Sequence, residues 1–226
     1  MGNRYMNSDP ASQVRLPAAL PAVKVLVVLF YVVGLTGLLV PSSRPFFLSP
    51  FPYFLLLNAV VLGIYHSGTF HPVTLVIFLL IFLSGFLIEA AGVNTGLVFG
   101  DYYYGNSLGF KIFDTPLVIG LNWLMLMYLL SGVVERTRLP NLFQVVIIAF
   151  LMLIYDLVLE QVAPKTDMWH WTIGHAPVQN YVAWFVISIL FSGTLKMGGI
   201  RVSNPLSMLV ISCQFLFFLI LLLFLP

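Results

Sequence analysis

Two carboxylic acids, Asp156 and Glu160, lie four residues apart near the end of a long apolar run that begins at Val145. On a helix this spacing places both side chains on one face, with their β-carbons about 5–6 Å apart. Two carboxyl groups in one pocket tend to hold one proton between them, so that one can act as a general acid and the other as a general base. A carboxylate at the centre of a membrane helix costs about 2.5–3.5 kcal/mol, so it usually serves a reaction or a transport pathway. Alternatively, only Asp156 is buried and Glu160 is an ordinary interfacial residue.

A third acid, Glu89, ends another apolar run and has only apolar or small neighbours. Small residues allow a second helix to approach closely. Glu89 could therefore meet Asp156 across a helix interface, or it could extend to the membrane surface as an interfacial residue.

Two connections rich in aromatic residues could complete a site around these acids. Residues 99–105 place one acid and three tyrosines between glycines: Asp101, Tyr102, Tyr103 and Tyr104. Residues 167–175 contain two tryptophans and two histidines: Trp169, His170, Trp171 and His175. Aromatic rings can stabilise a nearby cation. Tyrosine and tryptophan are also common at membrane interfaces, which is the simpler explanation for any one of them.

A metal site is disfavoured, although histidines and carboxylates can bind metals. No two histidines have the spacing of three or four residues that would hold one metal on a helix, and His66 and His71 fall in a different connection. We therefore predict that no metal is bound. The chain also lacks glycine-rich phosphate-binding motifs and a Gly-x-Ser-x-Gly nucleophile motif. The last apolar run has no lysine, which excludes a retinal Schiff base.

The composition determines the class of protein in which these residues operate. Hydrophobic residues make up 60% of the chain and charged residues only 8%. Such a chain is an integral membrane protein rather than a soluble one. The net charge of +2 comes from scattered basic residues, which argues against nucleic acid as a partner.

We predict an all-α integral membrane protein with about seven transmembrane helices in a single bundle. A short polar segment, residues 1–21, would precede one transmembrane domain, residues 22–226. Prolines at or just before most of the apolar runs support the helix starts, because the first helical residue needs no N–H donor. The predicted spans are 22–40, 52–66, 72–91, 116–134, 141–160, 178–195 and 205–225.

The basic residues predict the orientation, because Lys and Arg in short loops favour the cytoplasmic side. A cytoplasmic N-terminus in the cell membrane places seven of the ten on that side: Arg4, Arg15, Lys24, Arg136, Arg138, Lys196 and Arg201. The three acids and both aromatic connections then lie at the opposite, outer side.

Two stretches carry a family resemblance. The first runs from Glu89 to Trp123 and includes Phe99-Gly100-Asp101-Tyr102-Tyr103-Tyr104 and Thr115-Pro116. The second runs from Asp156 to Trp184 and includes Trp169-His170-Trp171 and Pro177-Val178-Gln179-Asn180-Tyr181. Together they resemble the CruF-type carotenoid hydratases, membrane proteins of carotenoid biosynthesis. Residues 173–176 depart from the aromatic and glycine run that the family pattern has before the proline.

The resemblance implies that water is added across the terminal C1–C2 double bond of an acyclic carotenoid, giving a tertiary alcohol without a cofactor. This hydration needs a proton donor, a sheltered tertiary cation and a bound water. We expect Asp156 to be the acid and Glu160 or Glu89 to orient water, although Glu89 could equally be the acid. The other expected site residues line the cation pocket or hold water: Asp101, Tyr102, Tyr103, Tyr104, Trp123, Trp169, Trp171 and Asn180.

The expected substrate is a lycopene-like or γ-carotene-like polyene that enters from the bilayer, with water as the second reactant. Other enzymes of carotenoid biosynthesis are further candidate partners. The main alternative is a membrane protein that binds or transports a carotenoid or isoprenoid lipid, in which the acids form a proton relay. An enzyme that transfers an isoprenoid is less favoured, because the outer connections contain no Asp-rich diphosphate motif.

Overall fold

The computed structural model describes residues 19–67 and 70–225. The predicted polar segment 1–21 therefore lies almost entirely outside the described residues. Within them the chain forms eight α-helices: α1 (Leu20–Leu39), α2 (Arg44–Leu48), α3 (Phe51–Ile64), α4 (Pro72–Thr95), α5 (Val118–Val134), α6 (Asn141–Val162), α7 (Val178–Met197) and α8 (Ser207–Phe224).

Each of the seven predicted spans corresponds to one of these helices, and the predicted fold class is confirmed. Six helices are long and apolar enough to cross a membrane, whereas α3 has only 14 residues. At 1.5 Å per residue α3 is about 21 Å long, shorter than the hydrocarbon core. It nevertheless connects the two ends of the bundle. Pro52 lies against Gly109 at one end, and the Leu62 carbonyl accepts a hydrogen bond from Asn204 at the other.

Local sequence explains where the site-bearing helices begin and end. Pro72 is the first residue of α4, and Pro140 and Pro177 directly precede α6 and α7. Proline has no N–H to leave unpaired at these positions. Helix α4 ends at Thr95 and is capped by Gly96. The φ of 67° at Gly96 is the left-handed conformation that glycine adopts without strain.

Helix α5 is the centre of the bundle. It is buried along most of its length and contacts α3, α4, α6, α7 and α8. By contrast, α1 packs mainly on α8 and α2, and most of its side chains are exposed. Most of those exposed side chains are Val, Leu or Phe, as expected for a lipid-facing helix.

Two small antiparallel sheets, which the sequence analysis did not predict, lie in the connections between α4 and α5 and between α6 and α7. Strand β1 (Tyr102–Tyr104) pairs with β4 (Trp169–Trp171), and β2 (Lys111–Ile112) pairs with β3 (Thr115–Pro116). We call residues 96–117 and 163–177 the cap, because they cover one end of the helix bundle.

Asp167 holds the two parts of the cap together. Its carboxylate accepts one hydrogen bond from the backbone N–H of Asn106 at 2.9 Å. The same carboxylate lies 3.0 Å from Nε2 of the His170 ring. The Asp167 carbonyl accepts a hydrogen bond from the Ser107 hydroxyl at 2.8 Å. Partial burial alone would raise the pKa of Asp167, but these hydrogen bonds outweigh it and hold the pKa below its usual value. The carboxylate therefore stays ionised and keeps both connections joined.

Candidate active site

A small cavity lies beneath the cap, where the ends of α4, α5, α6 and α7 converge. We call it the acid cavity. Its lining combines carboxylates, amides, aromatic rings and one aliphatic side chain: Glu89, Phe99, Tyr102, Tyr104, Ile119, Asn122, Trp123, Glu160, Trp169, Trp171, Asn180 and Trp184.

The pairing of β1 with β4 determines which cap residues face this cavity. Successive strand residues point to opposite faces, and the register places Tyr102 opposite Trp171 and Tyr104 opposite Trp169. These four side chains are buried over the helix ends. The intervening Tyr103 points outward, is 58% exposed and stacks on His170 with ring centroids 5.3 Å apart.

Three donors surround the buried carboxylate of Glu89. The hydroxyls of Tyr102 and Tyr104 donate to Oε2 at 2.6 and 2.8 Å, and the indole Nε1 of Trp123 donates to Oε1 at 2.9 Å. Burial, together with the nearby Glu89 carboxyl, raises the pKa of both tyrosines far above its usual value. Both hydroxyls therefore stay neutral and available as donors.

Glycines on α4 make this arrangement possible. Gly85 and Gly92 lie four residues before and three after Glu89, so all three share one helix face. A β-carbon at Gly85 would lie 2.9 Å from that of Trp123, and one at Gly92 would lie 2.6 Å from the Phe99 ring. The absence of side chains at these two positions lets the aromatic residues approach Glu89.

Glu160 has a second set of donors, also three in number. The indole Nε1 atoms of Trp169 and Trp171 donate to its Oε2 at 3.1 and 2.5 Å, and the Asn180 amide donates to Oε1 at 3.0 Å. The side chain is buried. The alternative in which Glu160 is an ordinary interfacial residue does not match this placement.

Asp156 lies one helical turn deeper than Glu160 and is fully buried behind the cavity wall. Its Oδ2 accepts a hydrogen bond from the same Asn180 amide at 2.9 Å, and its carboxyl group contacts that of Glu160. Its Oδ1 has no hydrogen-bond partner. Asn180 thus joins both carboxyl groups of the predicted pair to α7.

Aromatic rings packed at tilted angles form the remaining walls. Trp123 and Trp184 lie with ring centroids 4.3 Å apart, and Tyr102 and Trp171 lie 5.1 Å apart. The cavity therefore presents aromatic faces and edges on several sides to whatever occupies it.

The structure brings together most of the predicted site residues but not all of them. Asp101 and Tyr103 do not line the acid cavity. Asp101 is exposed beside Gly96, because the turn after α4 points its side chain away from the bundle. Tyr103 is outside because it occupies the alternate position of a strand.

Four lining residues were not among the predicted site residues: Phe99, Ile119, Asn122 and Trp184. Helical spacing could have revealed Trp184, which follows Asn180 by four residues on α7. Among the described residues, no group of three His, Cys, Asp or Glu side chains is arranged to hold a metal ion.

Comparison with known proteins identifies the family. A family model described as carotenoid biosynthesis protein matches residues 50–225, which include α3 to α8, the cap and every residue of the acid cavity. No curated protein and no solved structure matches the chain. The chain is therefore a multi-pass membrane protein of the carotenoid biosynthesis protein family, as the sequence resemblance indicated.

Proposed function

We propose that this protein adds water across the terminal C1–C2 double bond of an acyclic carotenoid end group. The observation that carries the proposal is the acid cavity, where two hydrogen-bonded carboxylates, Glu89 and Glu160, face an aromatic space. A third acid, Asp156, contacts Glu160 from behind the cavity wall. Family membership supports a carotenoid-related substrate.

The Asp156–Glu160 pair is the proposed proton donor. Hydrogen bonds to a carboxylate favour its ionised form. Glu89 accepts three of them, whereas Asp156 accepts one and leaves an oxygen unpaired. Two ionised carboxylates in contact in a dry site repel each other. A proton held by Asp156 relieves this repulsion, and contact with Glu160 gives it a path to the cavity.

The proton adds to the less substituted carbon, C2, and leaves a tertiary cation at C1. Aromatic faces stabilise cations, and the rings of Trp123, Trp184 and Trp171 would surround this one. A closed cap also limits access of bulk solvent, which would otherwise allow unwanted proton loss from the cation.

Glu89 is the proposed base. A water between it and C1 forms the new C–O bond and transfers its extra proton to the Glu89 carboxylate. The sum of the steps is alkene plus water giving a tertiary alcohol. One proton has left the Asp156–Glu160 pair and one has arrived at Glu89, so a proton moving back through cavity water restores the enzyme. No oxidant or reductant is needed.

Product analysis in cells that accumulate lycopene tests the proposal. Expression of the chain should yield a more polar pigment that is heavier than lycopene by one water. Asp156→Asn keeps the shape of the side chain and removes the acid, so yield should fall by about 100-fold or more, as for loss of a general acid.

Asp101→Asn is the matched control, because this acid lies outside the cavity, and it should keep full yield. If lycopene remains bound but chemically unchanged, the chain is instead a carotenoid-binding or transport protein. If Asp156→Asn, Glu160→Gln and Glu89→Gln all hydrate at the wild-type rate, the carboxylate mechanism is wrong.

A further inference from the structure

We infer that the polyene chain of the substrate lies in a tunnel that leads from the lipid between α1 and α3 to the acid cavity. The inference rests on the proposed function for the identity of the chain. The tunnel itself is argued from two further cavities and their shared walls.

The three cavities lie in a row. An access cavity lies between α1, α3 and α8, and a smaller middle cavity lies between α3, α5, α6 and α8. The access and middle cavities share Phe51, Leu55, Gln214 and Phe218 as lining residues. The middle and acid cavities share Ile119, Asn122 and Trp169. Each cavity therefore shares part of its wall with the next.

The outer end of this row faces lipid. Helix α1 is held by α8 and α2 and has few contacts with α3. The rings of Phe30 and Phe54 bridge the space between α1 and α3 with centroids 4.8 Å apart, and Phe30 is 45% exposed. Aromatic side chains can rotate far faster than helices can separate. The Tyr31 hydroxyl also donates to Asn58 of α3 at 3.3 Å. A flat chain would therefore enter by rotating these side chains rather than by separating the helices.

The lining suits a long conjugated hydrocarbon. Phenylalanines dominate the access cavity, and aromatic rings offer large apolar faces for an extended polyene. The buried Gln214 lines both the access cavity and the middle cavity, and its amide oxygen has no hydrogen-bond partner. An unpaired buried acceptor is destabilising. The junction is thus expected to be filled by ligand or water during the reaction cycle.

The tunnel has a consequence for how the substrate is bound. One end group reaches the acids while the chain fills the middle and access cavities and the other end remains in the bilayer. Binding energy from the chain would then hold the reacting end in place, as remote contacts commonly do. A short hydrocarbon with the same end group would gain none of that energy, but its chemistry would be unaffected by a blocked tunnel.

Leu55→Trp tests the tunnel, because Leu55 lines both the access cavity and the middle cavity. A tryptophan there should close the junction between them. Leu56→Trp is the matched control on the neighbouring residue, which is 49% exposed to lipid. Each variant is assayed in detergent with lycopene and with myrcene, a short hydrocarbon with the same dimethyl-substituted double bond. Leu55→Trp should lower kcat/KM for lycopene by about tenfold or more, a loss of about 1.4 kcal/mol, and that for the shorter myrcene by much less. Leu56→Trp should change neither.

Gly34→Leu provides a second, independent block. A β-carbon at Gly34 would make an ordinary 3.6 Å contact with Phe217, so the larger side chain should extend into the access cavity without disrupting the helix. It should show the same selective loss for lycopene. If both blocking variants treat the two substrates equally, the tunnel is wrong.

Retention of lycopene during purification separates this inference from the proposed function. If no alcohol forms but Leu55→Trp retains less lycopene per protein than Leu56→Trp, the tunnel stands and the hydration proposal fails. If all variants retain the same amount of lycopene, the tunnel is wrong whether or not the protein is a hydratase.

Discussion

Glu89 and Glu160 face the same cavity and are supported in the same way. Each accepts three hydrogen bonds, and each has neutral aromatic donors above it in the cap. Indole and phenol groups donate without adding a positive charge, so the carboxylates are held in place without being neutralised by a cation. This differs from a salt bridge and suits groups that must exchange protons.

Tyr104→Phe should weaken the support of Glu89. The change removes one hydrogen bond to a charged group, worth about 1.5–3 kcal/mol, so hydration should slow by about tenfold or more. Tyr103→Phe is the matched control on the same strand and should keep the wild-type rate, because its hydroxyl is outside the cavity. Equal rates for the two variants would contradict the geometry described for Glu89.

The sequence predicted the acids but not the way they are supported. Helical spacing was sufficient to place Asp156 beside Glu160. Four of the six donors come from β1 and β4, which are more than sixty residues apart in the chain and only three residues long each. Strands this short give no reliable periodic signal. For this reason Tyr103 could not be distinguished from Tyr102 and Tyr104 before the register was known.

At the scale of the helices, a polar cluster opposite the cap aligns the elements that carry the site. Lys196 of α7 contacts Glu135, which follows α5, and donates to Gln144 of α6 at 2.5 Å. Since α5, α6 and α7 also supply Trp123, Glu160 and Asn180, this cluster holds one end of each helix whose other end forms the acid cavity.

Lys196→Met should lower the stability of the helix bundle. The Lys196 side chain is 7% exposed, and the change would leave Glu135 and Gln144 without their buried donor. We expect a loss of up to about 3 kcal/mol, the low end for a broken buried pair. Thermal unfolding in detergent measures it.

Arg201→Met is the matched control. Arg201 contacts the same Glu135 at 3.7 Å, but its side chain is 87% exposed. Exposed ion pairs contribute about 1 kcal/mol or less. A larger loss for Arg201→Met than for Lys196→Met would show that burial does not decide the strength of this cluster.

For the whole molecule, the helix directions place the acid cavity at the end of the bundle opposite the start of α1. Among the described residues, Lys24, Arg136, Arg138, Lys196 and Arg201 lie at the end away from the cap, whereas Arg44, Lys111 and Lys165 lie at the cap end. Arg4 and Arg15, which also entered the orientation prediction, lie outside the described residues. The prediction of a cytoplasmic N-terminus therefore still favours an outward-facing cap.

Cysteine labelling in intact cells tests the orientation. In a Cys213→Ser background, Arg138→Cys should resist a membrane-impermeant thiol reagent, because short basic loops are predicted to be cytoplasmic. His175→Cys, in the exposed part of the cap, should react. The reverse pattern of labelling would overturn the orientation and place the cap in the cytoplasm.

Hydration by the purified protein in water enriched with heavy oxygen tests the central claim most directly. Incubation with lycopene, without any oxidant or cofactor, should give a tertiary alcohol whose oxygen carries the heavy isotope, and Asp156→Asn should give almost none. If the wild-type protein gives no alcohol, or an alcohol whose oxygen does not come from the water, the proposed function is wrong.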